Sequence, residues 1–206
     1  PLWTFQGSSF PSALSISLDG KFAGVGHKGG LILLNQNGRP VWNNNKIRRV
    51  KDISVSTKTG KMSIASSQKV VYLVKRTGES LWHRELQSSA VSTSISSNGD
   101  VIAVGTSLGR LVVYDGRGKI RWETHLSNSD FPVNTVNVSS DGQFIIAGTD
   151  YSHLYLYDRK GEILWAKETS SEIIQTCISS NGDYIGYLTS DRTFYFGVKS
   201  SRILWE

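Results

Sequence analysis

Tryptophans stand at Trp3, Trp42, Trp82, Trp122, Trp165 and Trp205, at intervals of 39, 40, 40, 43 and 40 residues. A period of this length means that each unit is one supersecondary element, burying its apolar face only by stacking on its neighbours, as in propellers and solenoids. A second marker keeps step: the pairs Asp19-Gly20, Thr59-Gly60, Asn98-Gly99, Asp141-Gly142 and Asn181-Gly182 place their glycines 40, 39, 43 and 40 residues apart. With 38% hydrophobic and 19% charged residues, the chain lies outside the composition of disordered proteins.

The order of signals within a unit is constant. In the third unit, Ser94-Ile95-Ser96-Ser97 runs into the Asn98-Gly99 turn and Val101 to Gly105 follows as a second strand, a hairpin signature. A turn at Ser107-Leu108-Gly109, a third strand Leu111 to Tyr114, a turn at Asp115 to Gly118 and a fourth strand carrying Trp122 complete the unit. No stretch has helical periodicity. The expected fold is all-β, a β-propeller of four-stranded antiparallel blades, five in number. The 206 residues form one domain with units at about 11–44, 51–84, 90–124, 132–167 and 173–206, and residues 1–6 form an extra outer strand.

Gly20, Gly60, Gly99, Gly142 and Gly182 supply the turns, and Gly26, Gly105 and Gly148 permit close approach between sheets, with Ser66 and Leu188 in their place in units two and five. Ser17, Ser56, Ser96, Ser139 and Ser179 recur at one position, where a side-chain bond to the turn backbone marks a fold signature and not a set of nucleophiles.

The segments Tyr114 to Trp122 and Tyr157 to Trp165, with Gly38 to Trp42 and Gly78 to Trp82, resemble the tryptophan-docking motif of the PQQ-like propeller repeats. Ser139 to Thr149 is similar to the first hairpin of WD-like and PQQ-like propellers of archaeal and bacterial surface proteins. Ser201 and Val198 depart from the motif glycine and aspartate in unit five. The resemblance implies that Trp42, Trp82, Trp122, Trp165 and Trp205 lie in outer strands, each wedged against the next blade, and that the protein works at a cell surface or outside the cell.

Catalysis finds little support in the sequence. Quinoprotein dehydrogenases share only the repeat, and many carry a vicinal cysteine pair, whereas this chain has one cysteine, Cys177, expected to be buried. The inner strands, such as Ser54-Val55-Ser56 and Ser94-Ile95-Ser96, carry no acid for a glycosidase pair, Asp52 alone lying close by. His27, His83, His125 and His153 are scattered, and His27 with His153 is expected to be a surface pair on one face. No cofactor or metal site is expected, and the Asn137-Val138-Ser139 sequon sits in an inner strand where no glycan fits.

Charge supplies the asymmetry. Residues 46–76 hold nine Lys and Arg against the single acid Asp52, more than the whole chain's formal net charge of +6. Propeller connectivity puts Lys46, Arg48, Arg49 and Lys69 on one face and Lys58, Lys61, Lys75 and Arg76 on the other. The first group is the candidate site for a protein or an anionic surface polymer. Nucleic acid is disfavoured, since no aromatics interleave with these cations outside the structural strands. The alternative function is lectin-like binding of carbohydrate or small ligands at repeated pockets between blades, through residues such as Tyr155, Tyr184 and Tyr195. No run approaches the roughly 18 apolar residues of a membrane span. A start at Pro1, straight into strand-like sequence, suggests an excised or mature domain.

Six tryptophan-bearing strands for five units pose a closure problem. We expect Leu2 to Phe5 to close a five-bladed ring beside the last blade; the other solution is a piece of a larger ring.

Overall fold

The structure, a computed structural model, describes residues 2–7, 9–17, 19–126 and 130–205, the Trp205 side chain excepted. Among these residues twenty strands form five four-stranded antiparallel sheets, each a meander, and there is no helix. Blade one is β1 (Pro11–Ile16), β2 (Phe22–His27), β3 (Gly30–Asn35) and β4 (Pro40–Asn44); blade two is β5 (Val50–Val55), β6 (Met62–Ser66), β7 (Val70–Val74) and β8 (Ser80–Glu85). Blade three is β9 (Ala90–Ile95), β10 (Val101–Thr106), β11 (Arg110–Asp115) and β12 (Ile120–His125); blade four is β13 (Val133–Val138), β14 (Phe144–Thr149), β15 (His153–Asp158) and β16 (Ile163–Glu168). Blade five is β17 (Ile173–Ile178), β18 (Tyr184–Thr189), β19 (Phe194–Val198) and β20 (Ile203–Trp205).

The first hairpin forms as its serine dictates. The backbone N–H groups of Phe22, Val101, Phe144 and Tyr184 donate to the Oγ of Ser17, Ser96, Ser139 and Ser179 at 3.0–3.1 Å, and the turn glycines all take positive φ. Blade two differs: Ser56 Oγ donates to Ser97 O in blade three at 2.7 Å. Its turn spans the same number of residues, Met62 pairing with Val55 as Ile102 pairs with Ile95, but its glycine comes one residue later, four after Ser56 where Gly99 is three after Ser96. The shift corrects one expectation. Ala65, not Ser66, occupies the position of Gly26, Gly105 and Gly148.

The core lies between blades. Four buried clusters coincide with the four junctions; at the second, Ala65, Val71, Leu73 and Trp82 of blade two meet Ala90, Ile102, Val104, Val112 and Tyr114 of blade three. A Cβ on Gly26 would fall inside Val50, one on Gly105 inside Val133 and one on Gly148 inside Ile173, so a large first residue of the next inner strand needs glycine behind it. Where blade two has Ala65, blade three answers with Ala90.

Four of the tryptophans each close a junction from outside. Trp42, Trp82, Trp122 and Trp165 donate through Nε1 to the carbonyls of Arg76, Gly116, Arg159 and Lys199 in the next blade's last turn, at 2.9, 3.2, 3.1 and 2.6 Å. Gly78, Gly118 and Gly161 lie under the rings of Trp42, Trp82 and Trp122, at φ between 79° and 92°, where any side chain would collide. Indoles packed in this way bury large apolar area and keep their N–H groups hydrogen-bonded.

Two expectations about the chain's ends are corrected. Residues 2–7 form no strand; instead Trp3 docks on blade one, its Nε1 donating to Gln36 O at 2.7 Å with Gly38 beneath it. The segment completes blade one rather than closing a ring. Successive inner strands pack side by side from β1 to β17, but β17 has no comparable neighbour in β1, so the five blades form an open arc. Cys177, expected in the core, is therefore exposed on the uncovered face of blade five.

Candidate binding face

The loops between blades and the β2–β3 type turns share a face because they bond to each other. Arg49 N donates to Lys28 O at 2.9 Å, Ser67 N to Arg49 O at 3.0 Å and Leu86 N to Lys69 O at 2.7 Å. The loop carrying Lys46, Arg48 and Arg49 is pinned from below by Ile47, 2% exposed, in the first junction cluster. Asn44 Oδ1 accepts from the Lys46 and Ile47 amides at 2.9 and 3.3 Å, and Arg48 Nε donates to Asn45 O at 2.9 Å. Arg49 and Lys69 adopt positive φ, 50° and 65°.

Two clefts open on this face. One of about 720 Å³ is lined by Lys28, Asn43, Asn45, Arg48, Arg49 and Gln68. Its neighbour, about 460 Å³, is lined by Phe10, Pro11, Lys28, Arg49, Lys51 and Ser67. Arg48 and Arg49 thus come together as the sequence pattern indicates, while Lys46 and Lys69 stand on the same loops outside the clefts. Lys28 and Lys51 join them; Lys28 escaped sequence reasoning because its blade is not rich in cations. Among the described residues none of these six cations has a carboxylate partner.

The opposite face is different in kind. There Lys75 pairs with Glu79 at 2.8 Å, Lys21 with Asp19 at 3.7 Å, and the Arg76 guanidinium sits 4.8 Å from the centre of the Phe22 ring. Lys58 and Lys61, on the same face, have no carboxylate partner among the described residues.

Asp52 proves to belong to the inner strand itself, a correction to its placement beside it. Its Oδ2 accepts from Thr93 N at 2.8 Å and Ser92 Oγ at 3.3 Å, and its Oδ1 from Ile53 N at 2.8 Å. Ser92 and Thr135 hold the same place in the next blades, accepting from Val136 N at 2.9 Å and Thr176 N at 3.1 Å. Ser54 and Ser94 repeat the device two residues on, for Ile95 N and Val138 N. These side chains satisfy inner-strand amides that face a neighbouring blade and have no ladder partner, which explains the hydroxyl-rich inner strands. Burial pushes the Asp52 carboxyl up to about 6 against the opposing pull of its three donors.

The remaining candidates make contacts within the chain. His27 is buried, 7% exposed, its Nδ1 against Ser9 Oγ at 2.6 Å and accepting from Gly29 N at 3.1 Å, so it is no surface partner for His153. Tyr155 donates to Leu126 O at 2.5 Å, Tyr184 stacks on Phe196 and Tyr195 on Tyr187. Asn137 Nδ2 donates to Thr176 O at 2.6 Å across a junction. Of the loop from Glu123 to Phe131, residues 127–129 lie outside the described residues. No helix of the described residues is long and apolar enough to cross a membrane.

No curated protein matches the chain. The family model described as outer membrane protein assembly factor BamB matches residues 66–205, which takes in Lys69 but leaves Lys46, Arg48 and Arg49 outside. With more than half its length in that match and the same tryptophan-on-turn docking at every blade, the chain belongs to the PQQ-like repeat family described as outer membrane protein assembly factor BamB.

Proposed function

We propose that this propeller is a non-catalytic scaffold that holds an acidic protein against the face formed by the β4–β5 loop and the turns beside it. The observation that carries this reading is the set of cations around two adjoining clefts, Lys28, Arg48, Arg49 and Lys51, none with a carboxylate partner among the described residues. Keeping like charges together without counter-charges costs stability, and a partner's carboxylates would relieve that cost while steering association. The family description speaks of outer membrane protein assembly, work done through protein contacts, and favours a protein partner at the cell envelope over a free polymer. With Asp52 engaged by three internal donors, we assign the inner strands no catalytic acid.

The test is retention of envelope proteins on the immobilised chain at low and at high salt, beside a variant carrying Lys46→Ala, Arg48→Ala and Arg49→Ala. An acidic protein held at low salt, released at high salt and lost in the variant is the expected outcome. Retention indifferent to both changes would refute the basic face and return attention to the spaces between blades.

A further inference from the structure

Blade five departs from the other four on the side that faces away from blade four. In blades one to four that forward side presents a small residue on the second strand, Gly26, Ala65, Gly105 or Gly148, against which the next blade's inner strand lies. Beside it, on the third strand, stand the aliphatic pairs Leu31 and Leu33, Val71 and Leu73, Leu111 and Val113, and Leu154 and Leu156, all nearly inaccessible. Blade five holds Leu188 in the small-residue position and Phe194 and Phe196 in place of the aliphatic pair. Leu188 is 37% exposed. Tyr184 stacks on Phe196 with ring centres 5.6 Å apart and planes 9° from parallel, and Phe194 lies over Gly186.

We infer that blade five is capped by its own side chains: Leu188, Phe194, Phe196 and Tyr184 occupy the space into which another blade would insert its inner strand, and they exclude a blade docked in the register of the other four junctions. The excluded blades include blade one of the same chain, which would close the ring, and blade one of a second copy, which would start a head-to-tail polymer. In either case Pro11, the counterpart of Val50, Ala90, Val133 and Ile173, would be driven against Leu188, joining two large residues where every existing junction sets a large one against glycine or two alanines together. Overfilling of that kind forces backbone shifts that a tightly packed junction does not absorb. Blade one's other side, by contrast, keeps the aliphatic residues Val25, Ile32 and Leu34 in a cavity of about 560 Å³ that Trp3, Phe5 and Ser9 of the N-terminal segment wall in part, with Leu14 71% exposed at its edge. The two ends of the arc are therefore unlike, one overlaid by the N-terminal segment and the other closed by its own side chains.

Sedimentation of the wild-type chain beside a variant carrying Leu188→Gly, Phe194→Val and Phe196→Leu tests the inference. The wild type is expected to run as a monomer. The variant is expected to show either at least a doubling of mass or, at unchanged mass, a faster-sedimenting closed form, and adding Leu14→Glu at blade one should return it to wild-type behaviour. Should the triple variant fail to fold, the single change Leu188→Ala, which recreates blade two's residue at a partly exposed position, carries the same readout. A folded variant that sediments like the wild type, or a wild type whose own association is abolished by Leu14→Glu, would overturn the inference.

Discussion

Ser201 is the residue at which the repeat's own logic is broken. It holds φ 66° at the turn where the other blades place Gly38, Gly78, Gly118 and Gly161, a conformation that costs a side-chain-bearing residue about 1 kcal/mol or more. Ser201→Gly is therefore expected to stabilise the chain by about 1 kcal/mol, read as a higher urea midpoint at unchanged slope. That position was legible from sequence, since the motif spacing alone exposed the missing glycine. Lys28 was not, because its role arises only from Arg49 N reaching across to Lys28 O, a contact between two loops that no local pattern encodes. His27 misled for a similar reason: its place at a turn suggested the surface, whereas residues outside the repeat, Ser9 among them, fold over it.

At the scale of the element, the inner strands behave as a set. Hydroxyls do the bridging at blades three and four, and blade two alone uses a carboxylate. Because burial raises the Asp52 pKa to about 6, the folded chain takes up a proton before the unfolded one does. The stability this adds is full below the ordinary carboxylate range and is lost as pH rises through about 6. Asp52→Asn should remove that slope, so that the variant gains of order 1 kcal/mol on the wild type at about pH 8 and loses the advantage at about pH 3, measured by denaturant titration at both. The β4–β5 loop gives a second prediction at this scale. Ile47→Ala leaves every cation in place but removes the buried anchor, at a cost of about 2–5 kcal/mol, and should weaken salt-sensitive partner binding at temperatures where the protein is still folded. Strand order was readable from the hairpin and docking signals. The exchange of Ala65 for Ser66 was not, because the glycine of blade two's turn stands one residue later against an unchanged strand register, so counting from Gly60 overshoots by one.

For the whole molecule, the period in the sequence specified blades and their count but not whether the first meets the last. Closure depends on how Pro11 would sit against Leu188, a contact between residues at opposite ends of the arc. Trp3 resolves the surplus outer strand: it supplies blade one with the ring that every later blade receives from its predecessor, without becoming a strand. The charge asymmetry survived the passage from sequence to structure because connectivity, not packing, decides on which face a loop emerges.

The matched sizes at the junctions also carry an address. Gly26 fits Val50 and Ala65 fits Ala90, so the blades are not interchangeable although their sequences repeat. Excising blade two would set Gly26 against Ala90 and leave a gap, whereas excising blade three would press Ala65 into the space Val133 needs. One methyl group thus marks the place of units two and three, and a duplication or loss of either in such a gene must rewrite it on the neighbouring blade as well.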